Sequence, residues 1–529
     1  MGKSSERGDP AVQEKVPSYG ESVDEADSTY KPVDNTHRKL KPRHIQLIGI
    51  GGTIGTALYV QIGKGLLSGG PGSMAEMVTY LPISSPFIRF AGRFVDDAFG
   101  VAAGWNFFVF EAAMVPFEIV ACNFIIQYWS AEVPAAAIIS VVIVLYGIIN
   151  VFAVRWYGES EFWLALLKVL LIIGLIAYAF ITMVGGNPLG DRYGFRFWKE
   201  PGAFATLHRT GDLGRFLGFL QCLIQASFTI AGPDYVSMAA GEAENPRQSM
   251  PSAYNAVFYR LTSFFVLGSL AVGIVVPYDD PTMNDAFLKN LPGAAASPYV
   301  ISMQRLRISV LPHIVNSLVL SAAFSAGNSY VYCASRCLYG LALEGKAPRI
   351  FTRCARNGVP IYAVGAVLII ALLSFLQVSN GAAVVLQWFV NLVTASQLIN
   401  FAVMAFTYTR FKKACEAQGI SRDSLPFKSR FQPFLAWYGF TGPFIMAFVS
   451  GYTVFLPGKW DVPTFLFSYT MLALCPLLFF GWKFFKRTKW LKPEEVDLKS
   501  GVEEVEEYTR NFIPGPSKNV IDKYFNKMF

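Results

Sequence analysis

Eleven apolar runs, near residues 45–67, 99–129, 135–154, 162–184, 214–240, 253–276, 311–342, 361–378, 384–410, 434–456 and 462–485, occupy most of the chain. Most reach the ~20 residues that a helix needs to cross the hydrocarbon core of a bilayer. Backbone amides and carbonyls in lipid must find partners inside the protein, and a helix satisfies them within each run. The predicted fold class is therefore all-α membrane. Charge agrees, since only 16% of residues are charged, against about 25% in a soluble domain. The balance of +8 is no nucleic-acid signal, because the basic residues form short clusters at the ends of apolar runs instead of lining one face.

Those clusters give a topology. Basic residues gather at Arg89 and Arg93, at Arg155, at Arg247, at Lys346 to Arg356, at Arg410 to Lys413 and in the stretch Lys483 to Lys492. The connections between them, Ser130 to Pro134, Pro277 to Asn290, Ser379 to Gly381 and Pro457 to Asp461, are poor in Lys and Arg. By the positive-inside rule the first set is cytoplasmic. The connection Asn187 to Arg215 carries four basic residues before its end yet falls outside by count. The basic cluster before the first run puts the N-terminus inside as well, and a chain with both termini inside needs an even number of crossings. Eleven is odd. The missing crossing must lie between the first run and Arg89, where only Met74–Leu81 is helix-like, eight residues covering about 12 Å.

Two runs are interrupted. Ile48 to Thr56 reads I-G-I-G-G-T-I-G-T, and each glycine costs a helix interior about 1 kcal/mol relative to alanine. Phe228 to Asp234 reads F-T-I-A-G-P-D. Broken helices in corresponding places point to a transporter. Freed amides at Gly52, Thr53, Ile54, Gly55 and Thr56 suit a carboxylate. Freed carbonyls around Phe228, Ile230, Ala231 and Gly232, with Asp234, suit an ammonium, so the two together describe a pocket for a zwitterion. The alternative is a pair of glycine faces between closely packed helices.

Ionisable residues inside spans are costly and become functional candidates. Glu111 and Glu118 lie seven apart, on one helical face. Lys168 either snorkels to the cytoplasmic interface or pairs with a carboxylate or freed carbonyls, where its ammonium could replace a sodium ion. Asn328, with Ser325 and Ser329, serves helix packing or substrate equally well, and Ser396 and Gln397 read as structural. The seven cysteines form no CxxC pair and the four histidines are scattered, so no metal site, cofactor or catalytic cluster is expected and the protein is not read as an enzyme.

The stretches H-I-Q-L-I-G-I-G-G-T-I-G-T-A-L-Y, G-E-x-E-F-W-x-x-L-x-K-V (158–169), D-R-Y-G-F-R-F-W (191–198) and A-A-G-E-A-E-N-P-R (239–247) resemble fungal amino-acid permeases of the amino acid, polyamine and organocation superfamily. The resemblance runs from about residue 40 to 500. It implies a 12-helix transporter whose first ten helices form an inverted 5+5 repeat, importing amino acids with protons across the plasma membrane. Ile54, Gly55 and Thr56 then match the carboxylate segment, Phe228 to Asp234 the amino segment, Lys168 a fifth-helix lysine near a sodium position in related proteins, and Glu118 a third-helix glutamate. Three departures stand out. Ala57 replaces a common glycine, Pro233-Asp234 replaces a common T-E, and Ser73 joins Met74 directly where relatives have 20 to 25 more residues, most of the second helix.

The expected organisation is a disordered cytoplasmic tail over 1–44, a transmembrane permease domain over 45–488 and a cytoplasmic tail over 489–529. Expected partners are an amino acid, protons, the lipid bilayer and ubiquitin-ligase adaptors at the tails. Competing readings are a non-transporting sensor and an inactive permease lacking its second helix.

Overall fold

The computed structural model describes residues 77, 86–130, 132–152, 154–229, 237, 240, 243, 245–283, 297–355, 358–380, 382–429 and 431–512. Among these residues there is no β-strand, and the chain is helix joined by turns. The N-terminal tail, the first apolar run and all of Met74–Leu81 except Met77, which is buried, lie outside the described residues.

We number the principal helices α1 Pro86–Phe94, α2 Asp97–Ile126, α3 Ala135–Phe152, α4 Val154–Met183, α5 Gly211–Thr229, α6 Pro246–Val275, α7 Pro298–Arg305, α8 Leu311–Leu343, α9 Ile361–Ala371, α10 Ala382–Ala417, α11 Phe434–Val449, α12 Val462–Lys486 and α13 Val502–Asn511. α9 and α11 run on through tightened turns to Asn380 and Phe455. Six of these rods are long and apolar enough to cross a membrane: α2, α4 from Trp163, extended α9, α10 from Val384, extended α11 and α12. α8 has 33 residues, about 50 Å of helix, and interleaves polar side chains with the apolar ones that marked it as a run. Most of those polar groups are buried by its neighbours.

α2 is the central post. It is mostly apolar, its few mid-helix polar side chains (Asn106, Glu111, Glu118, Asn123) are themselves buried, and 89% of its most apolar window is buried, as in a helix enclosed by others. Asp96 starts it by accepting the Ala98 amide at 2.9 Å. α8 packs along one side of α2 and α10 along another, while α10 also carries α11 and α12. α4 meets α6 and α8. At the periphery, Ile369 of α9 and Leu477 and Phe480 of α12 are exposed, as lipid-facing side chains should be.

The basic clusters converge on one end of the bundle. Arg89 pairs with Glu344 at 2.8 Å, Lys346 with Asp97 at 3.0 Å, and Lys483 with Asp96. The segment after Trp490 docks on that same end. Leu491 donates its amide to Val95 at 3.0 Å, Arg93 Nε donates to the Asp497 carbonyl at 2.6 Å, and Gln418 Nε2 to the Val496 carbonyl at 2.7 Å. Val496 and Leu498 are buried there, and α13, with four glutamates, follows Gly501. At the opposite end the exceptional basic connection after Asn187 sits beside the basic-poor ones: His208 contacts Lys459 at 3.1 Å, and the ring of Phe197 lies 4.7 Å under Arg305. Arg305 in turn pairs with Asp280.

Candidate functional site

Glu161 and Lys168 lie two turns apart on α4 and share a face. Both side chains are buried, 2% and 1% exposed, with Lys168 Nζ 3.9 Å from Glu161 Oε1. The ammonium is therefore held inside the protein and does not snorkel. α8 completes the pair. Ser325 Oγ lies 2.9 Å from each Glu161 carboxylate oxygen, and Ser329, one turn on, bonds the same carboxylate.

Asn150 ties α3 to α8 at this level. Asn150 Nδ2 donates to Asn328 Oδ1 at 2.8 Å and to the Tyr146 carbonyl at 3.0 Å. The polar patch in A-F-S-A-G-N-S-Y thus bonds across helices, and two of its serines hold the carboxylate of the ion pair. Gly327 is needed for the approach. A Cβ there would stand 2.1 Å from Tyr146 Oη and 3.1 Å from Glu118 Cβ, so only glycine lets α2, α3 and α8 meet this closely.

Glu118, on α2, is 1% exposed. It interacts electrostatically with Lys168, as Glu161 does, so carboxylates on two helices act on one ammonium. Phe117, beside Glu118, meets Phe228 edge to face at 5.3 Å between ring centres. Phe228 is at the C-terminal end of α5, where the second interruption was expected to begin. Glu111 lies on the same side of α2 and interacts with Cys337 of α8.

Of the residues proposed from sequence, Glu118, Lys168 and Phe228 fall in this buried region between α2, α4, α5 and α8. Gly52, Thr53, Ile54, Gly55, Thr56, Ile230, Ala231, Gly232 and Asp234 lie outside the described residues. Glu161 was missed. Dividing the chain by apolar content started the fourth run at residue 162 and left this carboxylate in a loop, although its seven-residue spacing from Lys168 in G-E-S-E-F-W-L-A-L-L-K carried the signal. Gln397 fits its structural reading: it bonds Asn400 at 3.5 Å, and Asn106 of α2 donates to Asn400 Oδ1 at 2.6 Å and to the Ser396 carbonyl at 2.9 Å.

Chemically, a carboxylate and an amine 3.9 Å apart in a low dielectric act as one proton-holding unit, either as an ion pair or as a neutral pair. This unit sits between α4 and α8, with a second carboxylate on α2. Long apolar helices around a buried charge cluster define a multi-pass membrane protein.

Comparison with known proteins gives the family. The amino acid permease family matches residues 44–494, and the chain belongs to it. It is 47% identical to the general amino acid permease AGP2 of Saccharomyces cerevisiae, over 95% of this chain and 89% of that protein. It is 40% identical to a proline-specific permease of Emericella nidulans, over 92% of each, and 37% identical to a lysine-specific permease of S. cerevisiae, over 91% of this chain and 81% of that one. Among solved structures it is similar to the manganese transporter of Eremococcus coleocola, with a TM-score of 0.46 at 12% identity, over 89% of this chain and 94% of that one.

Proposed function

We propose that this permease imports amino acids across the plasma membrane by proton symport, with both termini of the intact 12-helix, inverted-repeat fold in the cytoplasm. The observation that carries the reading is the buried Glu161–Lys168 pair, bonded by Ser325 and Ser329 of another helix. An ammonium can do electrostatically what a bound sodium ion does, and unlike sodium it can release a proton. Glu118 and Lys168 are the coupling residues. Substrate carboxylate binds at Gly52 to Thr56, and substrate ammonium at Phe228, Ile230, Ala231, Gly232 and Asp234. The cytoplasmic tails are the surfaces for ubiquitin-ligase adaptors.

A shortened second helix fits the alignment lengths, which give the number of unmatched positions and not their place. The alignment to AGP2 is 529 positions long while covering 95% of the chain's 529 residues, which leaves about 25 positions with no counterpart here. The alignment to the Emericella permease has a similar excess. Neither the sensor reading nor the inactive-variant reading is favoured by these relatives.

Uptake of labelled amino acid in a permease-deficient fungal host tests the function. Uptake should rise as external pH falls and stop when the proton gradient is collapsed. Lys168→Ala should abolish concentrative uptake while substrate binding falls far less. Uptake indifferent to the gradient would remove the coupling, and full transport by Lys168→Ala would remove the role given to Lys168.

A further inference from the structure

A second polar space lies away from the ion pair. A cavity of about 220 Å³ opens between α5, α10, the end of α11 and the start of α12. It lies toward the end of the bundle that carries Pro457 to Asp461, the outer side by charge alternation. Nine of its eleven lining residues are amides or hydroxyls, and none is charged. This composition is unexpected for helices in lipid, where an unsatisfied polar group costs several kcal/mol.

The polar wall is built from helical faces. On α5, Gln221 and Gln225 are one turn apart, and on α10, Gln387 and Asn391 are one turn apart with Thr394 following. Gln221 Oε1 is buried and has no hydrogen-bond partner among the described residues. Gln387 Nε2 donates to Asn391 Oδ1 at 2.9 Å, a bond that uses neither the Asn391 nitrogen nor the Gln387 oxygen. Thr394 spends its proton on the Val390 carbonyl at 2.6 Å and keeps its lone pairs. The lining thus presents both donors and acceptors without a fixed charge.

We infer that this cavity is a second binding site, a waiting place for net-neutral amino acids on their way to the ion-pair region, and that it sets the substrate class. This rests on the proposed transport function. The volume equals that of about seven waters, the size class of a free amino acid with a small polar or cyclic side chain. Amides and hydroxyls can replace the hydration of a zwitterion whose two charges offset each other. They cannot neutralise a third charge, and Asp461, behind the lining Thr464, is engaged by that residue's amide and hydroxyl, so lysine, arginine, aspartate and glutamate would enter a low-dielectric space without a counter-charge in its lining. The route inward is short, since Gln225 is three residues before Phe228, whose ring packs on that of Phe117, the neighbour of Glu118 in the chain.

The test uses the full chain in a permease-deficient fungal host, with surface abundance measured for every variant and labelled glutamine as probe. Gln221→Leu and Thr394→Val should each raise the KM for glutamine about tenfold, leaving Vmax per surface molecule unchanged. Asn391→Asp should gain inhibition by lysine that the wild type lacks, a gain that misfolding cannot produce. Unchanged KM in both loss variants overturns the site. Strong lysine inhibition of the wild type, or none in Asn391→Asp, overturns its charge selection. A wild type that takes up no amino acid at all overturns the transport function itself.

Discussion

Removing Glu161 alone should damage this protein more than removing Glu161 and Lys168 together. At 3.9 Å, two unit charges attract by about 4 kcal/mol at an effective dielectric of ~20. Breaking a buried pair by deleting one partner costs about 3–5 kcal/mol, because the other charge stays buried and uncompensated. Replacing both by groups of similar volume is far milder, since two desolvation penalties vanish with the attraction. Glu161→Gln and Lys168→Met should each lower the unfolding midpoint of the detergent-solubilised protein by on the order of 5 °C, while the double variant should recover most of that loss. Ser325→Ala should weaken the effect of Glu161→Gln, because its hydroxyl bonds the same carboxylate. The assay is scanning fluorimetry on the four members of the cycle, with surface expression as a control. A double variant whose loss equals the sum of the two single losses would show that the charges do not act as a unit.

Other consequences can be checked separately. Gly327→Ala puts a methyl 2.1 Å from Tyr146 Oη and should cost about 1–3 kcal/mol of stability; Tyr146→Phe in the same chain should return part of it. At the outer end Asp191 is bonded by Arg196 at 2.7 and 3.0 Å, and this bond holds its carboxyl below the usual value. Asp461, which caps α12 through Thr464, is likewise held low by that bond. A depressed carboxyl contributes stability above its unfolded pKa and loses it as pH falls through the folded one. Neutralising either by Asp→Asn should therefore leave the pH dependence of uptake between pH 5 and 7, on the order of two units above the usual carboxyl value, unchanged. Asp461→Ala should cost about 1 kcal/mol by loss of the cap. The proposed loss of most of the second helix leaves an odd number of crossings, so tags on the two termini should fall on opposite sides of the membrane in a protease-protection assay. Inserting an apolar helix of about 20 residues between Ser73 and Met74 should bring them to the same side.

Much of the architecture was legible from period and charge. Among the described residues each apolar run falls on a helix, because lipid enforces one kind of backbone bonding, but the ends differ by up to eight residues, as at Val154, where the helix starts before the run at 162. The basic clusters mark which ends belong together, and Arg89, Arg93, Lys346, Arg410 and Lys483 do meet at one end of the bundle. Lys168 stands out by itself, since a cation in an apolar run demands an explanation. Its partner did not stand out, because Glu161 sits at the border of a run, where a carboxylate is unremarkable until the helix is seen to start earlier. Tertiary structure alone decided that the serines of α8 face that carboxylate, that Gly327 admits the Tyr146 hydroxyl, and that the polar faces of α5 and α10 line one cavity. Periodicity tells which residues share a side of one helix. Which neighbour that side meets depends on rotations and offsets between helices, and these are set by packing across the whole bundle.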